Sequence, residues 1–332
     1  MKASVIIATF NREQKLIDTI ECILSNTYPD FELIVVDQTK KHSPRVESEL
    51  ESFGTNPRFK CIHLPIANLP LARNVGLRRA EGNIIIYVDD DVKLKNNFIA
   101  NHMCAYRDRT VGAVGGRILT KGYDPDNDFF NGPYIGRLGQ FGPVQGHFYR
   151  DGPQCEIEWG MGCNMSFRRD ALMKVGGFDE RYTGSAKHED VDVFVRVRRI
   201  GYKAVFSPAA QLIHLKAAGG GCRSDDAFRR RRCSMLRSEA LIASCINPAL
   251  TFRNMVALIK RGSQAALHVT KSYQLQSSLA KTPDSRSRIL RRVVQLPIFS
   301  EFFAAYLKGL KARYFGRADE FTQMLQKSDS YE

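Results

Sequence analysis

Apolar positions in the first half of the chain fall in short runs that alternate with helically spaced stripes. Val5–Ala8 is a continuous apolar run, as in a strand covered on both faces. Asn11-Arg12-Glu13-Gln14 follows with a capping pattern, Asn11 as cap and Gln14 three residues on. Leu16, Ile17, Ile20, Ile23 and Leu24 then recur at helical spacing. Further strands are expected at Phe31–Val36, ending at Asp37, at Phe59–Leu64, and at Asn83–Val88, which runs into Asp89-Asp90-Asp91. Helices are expected over 68–80 and 96–107, and a glycine-punctuated strand over 111–118.

This order predicts a mostly parallel sheet with helices on both faces. Ligands of such sheets sit beyond the carboxyl ends of the strands, where Asp37 and the 89–91 cluster both fall. Tyr123–Gly152 is rich in Gly, Pro, Asp and Asn and is expected to be a long loop over one edge. After it come a strand at Cys163–Arg168, a short helix at Arg169–Val175, a longer one at Asp190–Ile200, and two strands, Ala204–Ser207 and Gln211–Leu215. Residues 224–332 are expected to be helical, with a polar interruption near 272–288. The division drawn is a first domain over 1–222 and a basic, mainly helical region over 223–332.

Composition changes this picture in three ways. With 332 residues, 43% hydrophobic, the chain can bury one large core and carry an appendage. It has no apolar run of 18, so no spanning helix is expected, and its N-terminus reads as a strand and not a signal peptide. Eight cysteines without a C-x-x-C pair argue against a disulfide framework or a zinc site and fit free thiols in a reducing cytoplasm. Of the net charge of +14, nearly all lies after residue 215, where 21 basic side chains face 9 acidic ones. There Phe299, Phe302, Phe303, Tyr306, Leu307, Leu310 and Tyr314 share a helical face, with Lys308 opposite and Lys311 and Arg313 at its edges. That pattern suits a helix lying on an anionic membrane surface, peripheral at the inner face of the cytoplasmic membrane. Packing on the first domain or a contact between copies in a homo-oligomer is the other reading. No nucleic-acid motif accompanies the charge, so nucleic acid is not an expected partner.

The candidate chemistry starts with Asp89-Asp90-Asp91. Three adjacent carboxylates repel one another unless a cation sits among them, and Mg²⁺ or Mn²⁺ would bridge such oxygens to a diphosphate; a solvated acidic turn is the plainer reading. His214, at a predicted strand end, could complete a metal sphere with Asp91 or be a satisfied core histidine. His188-Glu189-Asp190 opens a helix, whose N-terminus would keep the acid ionised as a general base requires, though acids are ordinary there. Gly219-Gly220-Gly221 with Lys216 and Arg223 could hold phosphate or act as a hinge. The chain lacks G-K-[ST] and has no G-x-G-x-x-G after its first strand, which counts against a P-loop ATPase and a Rossmann dehydrogenase.

In order and spacing these pieces resemble the family 2 glycosyltransferases over roughly residues 3–222. The matching segments are Ser4–Arg12, Glu32–Asp37, Asn68–Gly76 with its Ala-Arg-Asn-x-Gly, Tyr87–Asp91 with its DxD, Gly162–Arg169 followed by Gly176–Glu180, and Glu189–Asp192 followed by Arg196–Tyr202. The resemblance implies a GT-A fold, a Rossmann-like mixed sheet with helices on both faces. It implies an inverting transfer of a sugar from a nucleotide-diphosphate sugar, with a UDP-sugar favoured, to a glycan or lipid-linked acceptor. By the same resemblance Asp37 would bond the nucleotide base, with Thr9 and Arg12 nearby. Asp89 would touch the ribose, with Asp90, Arg73 and Lys216 also on the donor. Asp91 and His214 would ligate a divalent metal, Mn²⁺ or Mg²⁺. Asp190 would be the base, with Glu189 beside it, and Trp159, Gly162 and Asn164 would line the acceptor and sugar pocket. Gln38 stands where the family often has a second acid, which loosens the inference about the nucleotide. Two other readings remain: a nucleotidyltransferase, which would want a Gly-rich basic loop in place of Thr9–Arg12, and a catalytically silent scaffold of the same fold.

Overall fold

The computed structural model describes residues 1–120, 134–139, 142–217, 220–221 and 242, and the expectations for 224–332, the basic helical face included, lie outside them apart from Ile242, which is buried. The first half is built of β1 (Ala3–Thr9), α1 (Gln14–Leu24), β2 (Phe31–Asp37), α2 (Pro44–Phe53), β3 (Phe59–His63), α3 (Leu69–Arg79), β4 (Ile84–Val88), β5 (Val92–Leu94), α4 (Phe98–Ala105) and β6 (Val111–Thr120). Then come β7 (Arg137–Gly139), β8 (Gly142–Gln145), β9 (Cys155–Glu156), β10 (Asn164–Arg168), α5 (Arg169–Lys174), α6 (Glu189–Arg199) and β11 (Lys203–His214). The main sheet runs β3-β2-β1-β4-β10-β6-β11-β5, with β9 on β11, while β7 and β8 pair with each other.

β1 to β4 are parallel, and β2 is buried at every position, as its uninterrupted apolar sequence requires. α1 turns Leu16, Ile17, Ile20 and Ile23 onto this sheet. β10 is antiparallel to both β4 and β6, so it starts at the carboxyl rim, with Asn164 opposite Val88. That reversal brings the preceding Trp159–Cys163 segment to the rim where β1 and β4 end. β5 follows the acid cluster at once and pairs antiparallel with β11, placing Val92 opposite His214.

Four expectations are corrected. Asn11 does not cap α1: it takes a left-handed backbone (φ 52), its N–H donates to Thr39 Oγ1 at 2.9 Å, and Glu13 holds the cap position without a side-chain bond to the helix. The supposed loop over 123–152 contains the β7–β8 hairpin. Residues 203–214 form one strand, and only its ladder shifts between Ser207 and Gln211, where Pro208 has no N–H to give. α2 was not expected because it buries Val46 alone, leaving no apolar stripe to read. Among the described residues, Cys22, Cys61, Cys104, Cys155 and Cys163 are free, and no helix is long and apolar enough to cross a membrane.

Candidate active site

A cleft of about 770 Å³ opens along the carboxyl rim. Its walls come from the turn after β1, the acid cluster after β4, the Trp159–Cys163 segment, the loop before α6, and the end of β11.

At the cleft floor the three aspartates divide their work. Asp91 is 1% exposed; His214 Nε2 lies 3.1 Å from its Oδ1, and the Ala217 N–H donates to its Oδ2 at 2.8 Å. Burial would raise its pKa, but His214, the Ala217 N–H and Arg12 outweigh that and hold it below the ordinary value. Asp89 also approaches His214, Oδ2 to Nε2 at 3.6 Å. Ligand atoms of Asp89, Asp91 and His214 all lie within 4.8 Å of one another, two carboxylates and an imidazole able to share one divalent ion. The middle residue, Asp90, turns inward: Thr9 Oγ1 donates to it at 2.7 Å and Arg12 Nε lies 3.2 Å away. Burial pushes its pKa up to about 7, against the pull of Arg12 and Thr9. Asp90 thus ties the first strand's turn to the cluster.

Arg73 links this floor to the start of α6. It is 3% exposed, pairs through NH1 with Glu189 Oε1, donates from NH2 to the Gly162 carbonyl at 3.0 Å, and lies 3.7 Å from Asp89 Oδ1. Burial opposes its charge, but Glu189 and Asp89 more than compensate, so the guanidinium stays protonated and Glu189 serves it as counter-ion. The Gly162 N–H donates to Asp190 Oδ2 at 2.8 Å and the Val191 N–H to Asp190 Oδ1 at 2.8 Å. A methyl group at Gly162 would stand 2.8 Å from Arg73 NH2, so the close approach requires glycine. Asp190 was expected to be kept ionised by the helix N-terminus; instead burial raises its pKa, against Arg73 and those two N–H groups. A raised carboxylate is a stronger base once it has lost its proton.

Of the other expected residues, Trp159 lines the cleft, 8% exposed, its indole N–H shared between the Arg137 and Gln145 carbonyls at 3.2 Å each. Thr9, Arg12, Arg73, Asp89, Asp90, Gly162, Glu189 and His214 line it too. Lys216 is exposed with a left-handed backbone (φ 51) at the end of that wall, and Gly221 beyond it donates to the Phe10 carbonyl at 2.7 Å. Two residues are placed elsewhere. Asn164 is fully buried, its amide donating to the Arg117 and Ala210 carbonyls at 2.9 Å each while His102 Nε2 meets its Oδ1 at 2.9 Å, so it braces the sheet and does not reach the pocket. Asp37 is outside the cleft lining: it accepts the Thr39 N–H at 2.9 Å and pairs with His42 Nε2 at 2.7 Å, while His42 Nδ1 contacts Glu13 Oε1 at 3.1 Å.

His42, whose relation to Asp37 depends on a turn without periodicity, and the loop Gly184–His188, which lines the cleft beside Asp190, carry no signal in the sequence.

A model described as glycosyl transferase family 2 matches residues 4–176. A glucosyl-dolichyl phosphate glucuronosyltransferase of Haloferax volcanii is 26% identical over 226 residues, covering 64% of this chain and 69% of that protein. An uncharacterised protein of Sinorhizobium fredii is 30% identical over 237 residues, 66% of this chain but 25% of its own, so the chain spans about a quarter of that relative. Among solved structures, a mannosyltransferase of Pyrobaculum calidifontis in complex with GDP-Man and Mn²⁺ superposes with a TM-score of 0.52 at 17% identity, over 95% of this chain and 87% of that one, which is a likeness of fold.

Proposed function

This chain belongs to glycosyl transferase family 2, and from that membership we propose that it moves a sugar from a nucleoside-diphosphate sugar to an acceptor hydroxyl in one displacement, with inversion. The observation that carries the reading is the meeting in one cleft of a cation-competent trio, Asp89, Asp91 and His214, with a carboxylate, Asp190, held by backbone N–H groups.

The trio suits a divalent ion, and its imidazole nitrogen favours Mn²⁺ over Mg²⁺, whose preference is for oxygen alone. When bound, the ion supplies positive charge against that developing on the leaving diphosphate. The remaining work falls to the chain. Asp190 accepts the proton of the attacking hydroxyl, and one base opposite the leaving group gives inversion. The Gly162 and Val191 N–H groups hold that carboxylate in place, and Arg73 anchors Gly162 through its carbonyl. Arg12 and the turn after β1 shape the donor end, where UDP is the first nucleotide to try; GDP-Man in the Pyrobaculum neighbour makes GDP the second. The Haloferax relative's name points to a lipid-linked glycan acceptor, and the amphipathic basic segment at 299–314, outside the described residues, would bring the chain to an anionic membrane bearing one.

A thermal-shift panel of UDP-, GDP- and dTDP-sugars with and without Mn²⁺, followed by an assay of nucleoside diphosphate release, tests the proposal. A metal-dependent shift with slow donor hydrolysis is expected. No shift with any nucleotide would overturn it, and metal-dependent binding without hydrolysis or transfer would leave the silent scaffold.

A further inference from the structure

The loop Gly184–His188 forms one wall of the cleft next to Asp190, and none of the roles above uses it. Its backbone is unusual: Gly184 (φ 65), Ala186 (φ 47) and His188 (φ 70) are all left-handed, two of them with a Cβ that disfavours this conformation. Ser185 and His188, two neutral polar residues of this loop, both line the cleft. Ser185 Oγ is shielded from water and has no hydrogen-bond partner, a costly state for a hydroxyl. The His188 ring makes no hydrogen bond with any described residue; only its carbonyl is used, accepting the Asp192 N–H at 3.0 Å. Burial, with the nearby Lys187 charge adding to it, pushes the His188 pKa down to about 3, so the ring is neutral and can both donate and accept.

Apolar residues line the same cleft: Trp159, edge-on to Phe148, and Met161, 39% exposed. Neutral donors and acceptors in one cleft with an aromatic ring and a thioether match a pyranose, which has a hydroxyl-bearing rim and an apolar C–H face. They offer no cation to pair with a phosphate or carboxylate, which the neighbouring Asp190 carboxylate would repel.

We propose that Ser185 and His188 form the acceptor-sugar subsite, hydrogen-bonding neighbouring hydroxyls of a neutral pyranose so that one of them is presented to Asp190. The proposal rests on the transferase reading and names the class of its acceptor. Selectivity then follows from geometry, because an epimer that turns one of these hydroxyls away leaves Ser185 or His188 unpaired.

Trp159 is the chain's single tryptophan and lies on this cleft, so its emission reports occupancy without knowledge of the native acceptor. The probes are methyl glycosides of glucose, galactose, mannose and N-acetylglucosamine, titrated with and without UDP and Mn²⁺. At least one glycoside should change the emission saturably. His188→Gly keeps the left-handed backbone while removing the ring, and should weaken that glycoside about tenfold, as should Ser185→Ala, the loss of one hydrogen bond. His188→Asn, tolerant of the same backbone and still able to hydrogen-bond, should recover part of it. UDP binding, measured by calorimetry, should stay within about twofold in all three, since neither the Ser185 nor the His188 side chain has a hydrogen bond or ion pair with Arg12, Asp89, Asp91 or His214. The proposal is overturned if no glycoside moves the wild-type emission, or if His188→Gly and Ser185→Ala bind as the wild type does. A wild-type protein that answers to a glycoside but to no nucleotide would leave this subsite standing and remove the transferase reading.

Discussion

His214 Nε2 stands 3.1 Å from Asp91 Oδ1 because the short strand after the acid cluster pairs with the last strand, setting Val92 opposite His214. The pairing is a consequence of sheet register. The chain's own N–H at Ala217 then holds the other oxygen of Asp91, so the carboxylate arrives oriented. Ligands fixed in this way need little reorganisation to accept an ion.

Removing either partner should therefore reduce metal binding sharply. His214→Ala or Asp91→Asn is expected to weaken Mn²⁺ by at least about tenfold, and UDP affinity should lose its dependence on Mn²⁺. Calorimetric titration of Mn²⁺, then of UDP at fixed Mn²⁺, measures both. A wild-type UDP affinity indifferent to Mn²⁺ would contradict the assignment of the trio.

Asp190→Asn should lower transfer by about 10²- to 10⁴-fold, the usual share of a general base, while UDP and Mn²⁺ still bind. The pH profile carries a second check. Asp190's folded pKa is raised, and a base works deprotonated, so kcat/KM should rise with pH through a value above the ordinary aspartate value of about 3.9. An acid limb at or below that value would argue that another group takes the proton.

Gly162→Ala tests the link between Arg73 and Asp190. The added methyl meets Arg73 NH2 at 2.8 Å and Glu189 Oε1 at 3.3 Å, both part of a buried ion pair with little room to move. A loss of about 1–3 kcal/mol in urea unfolding is expected, with a fall in turnover larger than any change in UDP affinity, because the Gly162 N–H also holds Asp190. Unchanged turnover in a folded variant would show that the Asp190 contact is dispensable.

The parts of the fold that were legible in the sequence are those where periodicity and burial agree. The first, second and fourth strands are continuous apolar runs because both their faces are covered, and the first helix has an apolar stripe because one face is. Short surface elements gave no such signal: the helix at Pro44–Phe53 has a single buried residue, and the hairpin at 137–145 sits in glycine-rich sequence. The candidate site divides in the same way. Asp89, Asp91 and His214 stand at strand ends, where position alone suggests a ligand. Asn164 occupies an equivalent end, on β10, yet its amide is consumed by strands that the sequence does not show to be neighbours. Asp37 likewise sits at a strand end, but its relation to His42 depends on the conformation of one turn.

That turn predicts a pH dependence of stability. Burial works against a charge on His42, but Asp37 and then Glu13 outweigh it, so the folded pKa is raised above the ordinary 6.5. A raised histidine contributes its stability fully below the unfolded value and loses it as pH rises through the folded value. Stability should therefore decline on the alkaline side of about pH 6.5, and His42→Gln should be less stable than wild type at pH 6, with the gap narrowing towards pH 9. Urea melts at several pH values decide this; a gap that stays constant would mean that His42 is not charged in the fold.

The last prediction concerns Asn164, expected from sequence to line the pocket and found inside the sheet. Its amide bridges the Arg117 and Ala210 carbonyls, and its oxygen meets His102, which also contacts Ser166 Oγ at 2.9 Å. Burial drives the His102 pKa down to about 4, so the ring is neutral and has one N–H to share between Asn164 and Ser166. Asn164→Ala orphans two carbonyls and one imidazole nitrogen at once, each worth about 1–3 kcal/mol when left unmade in a dry interior. The expected result is a Tm loss of many degrees with UDP, Mn²⁺ and glycoside affinities unchanged in the protein that remains folded. A pocket residue would behave in the opposite way, with stability kept and glycoside binding lost, so thermal unfolding and Trp159 emission on this one variant separate the two placements.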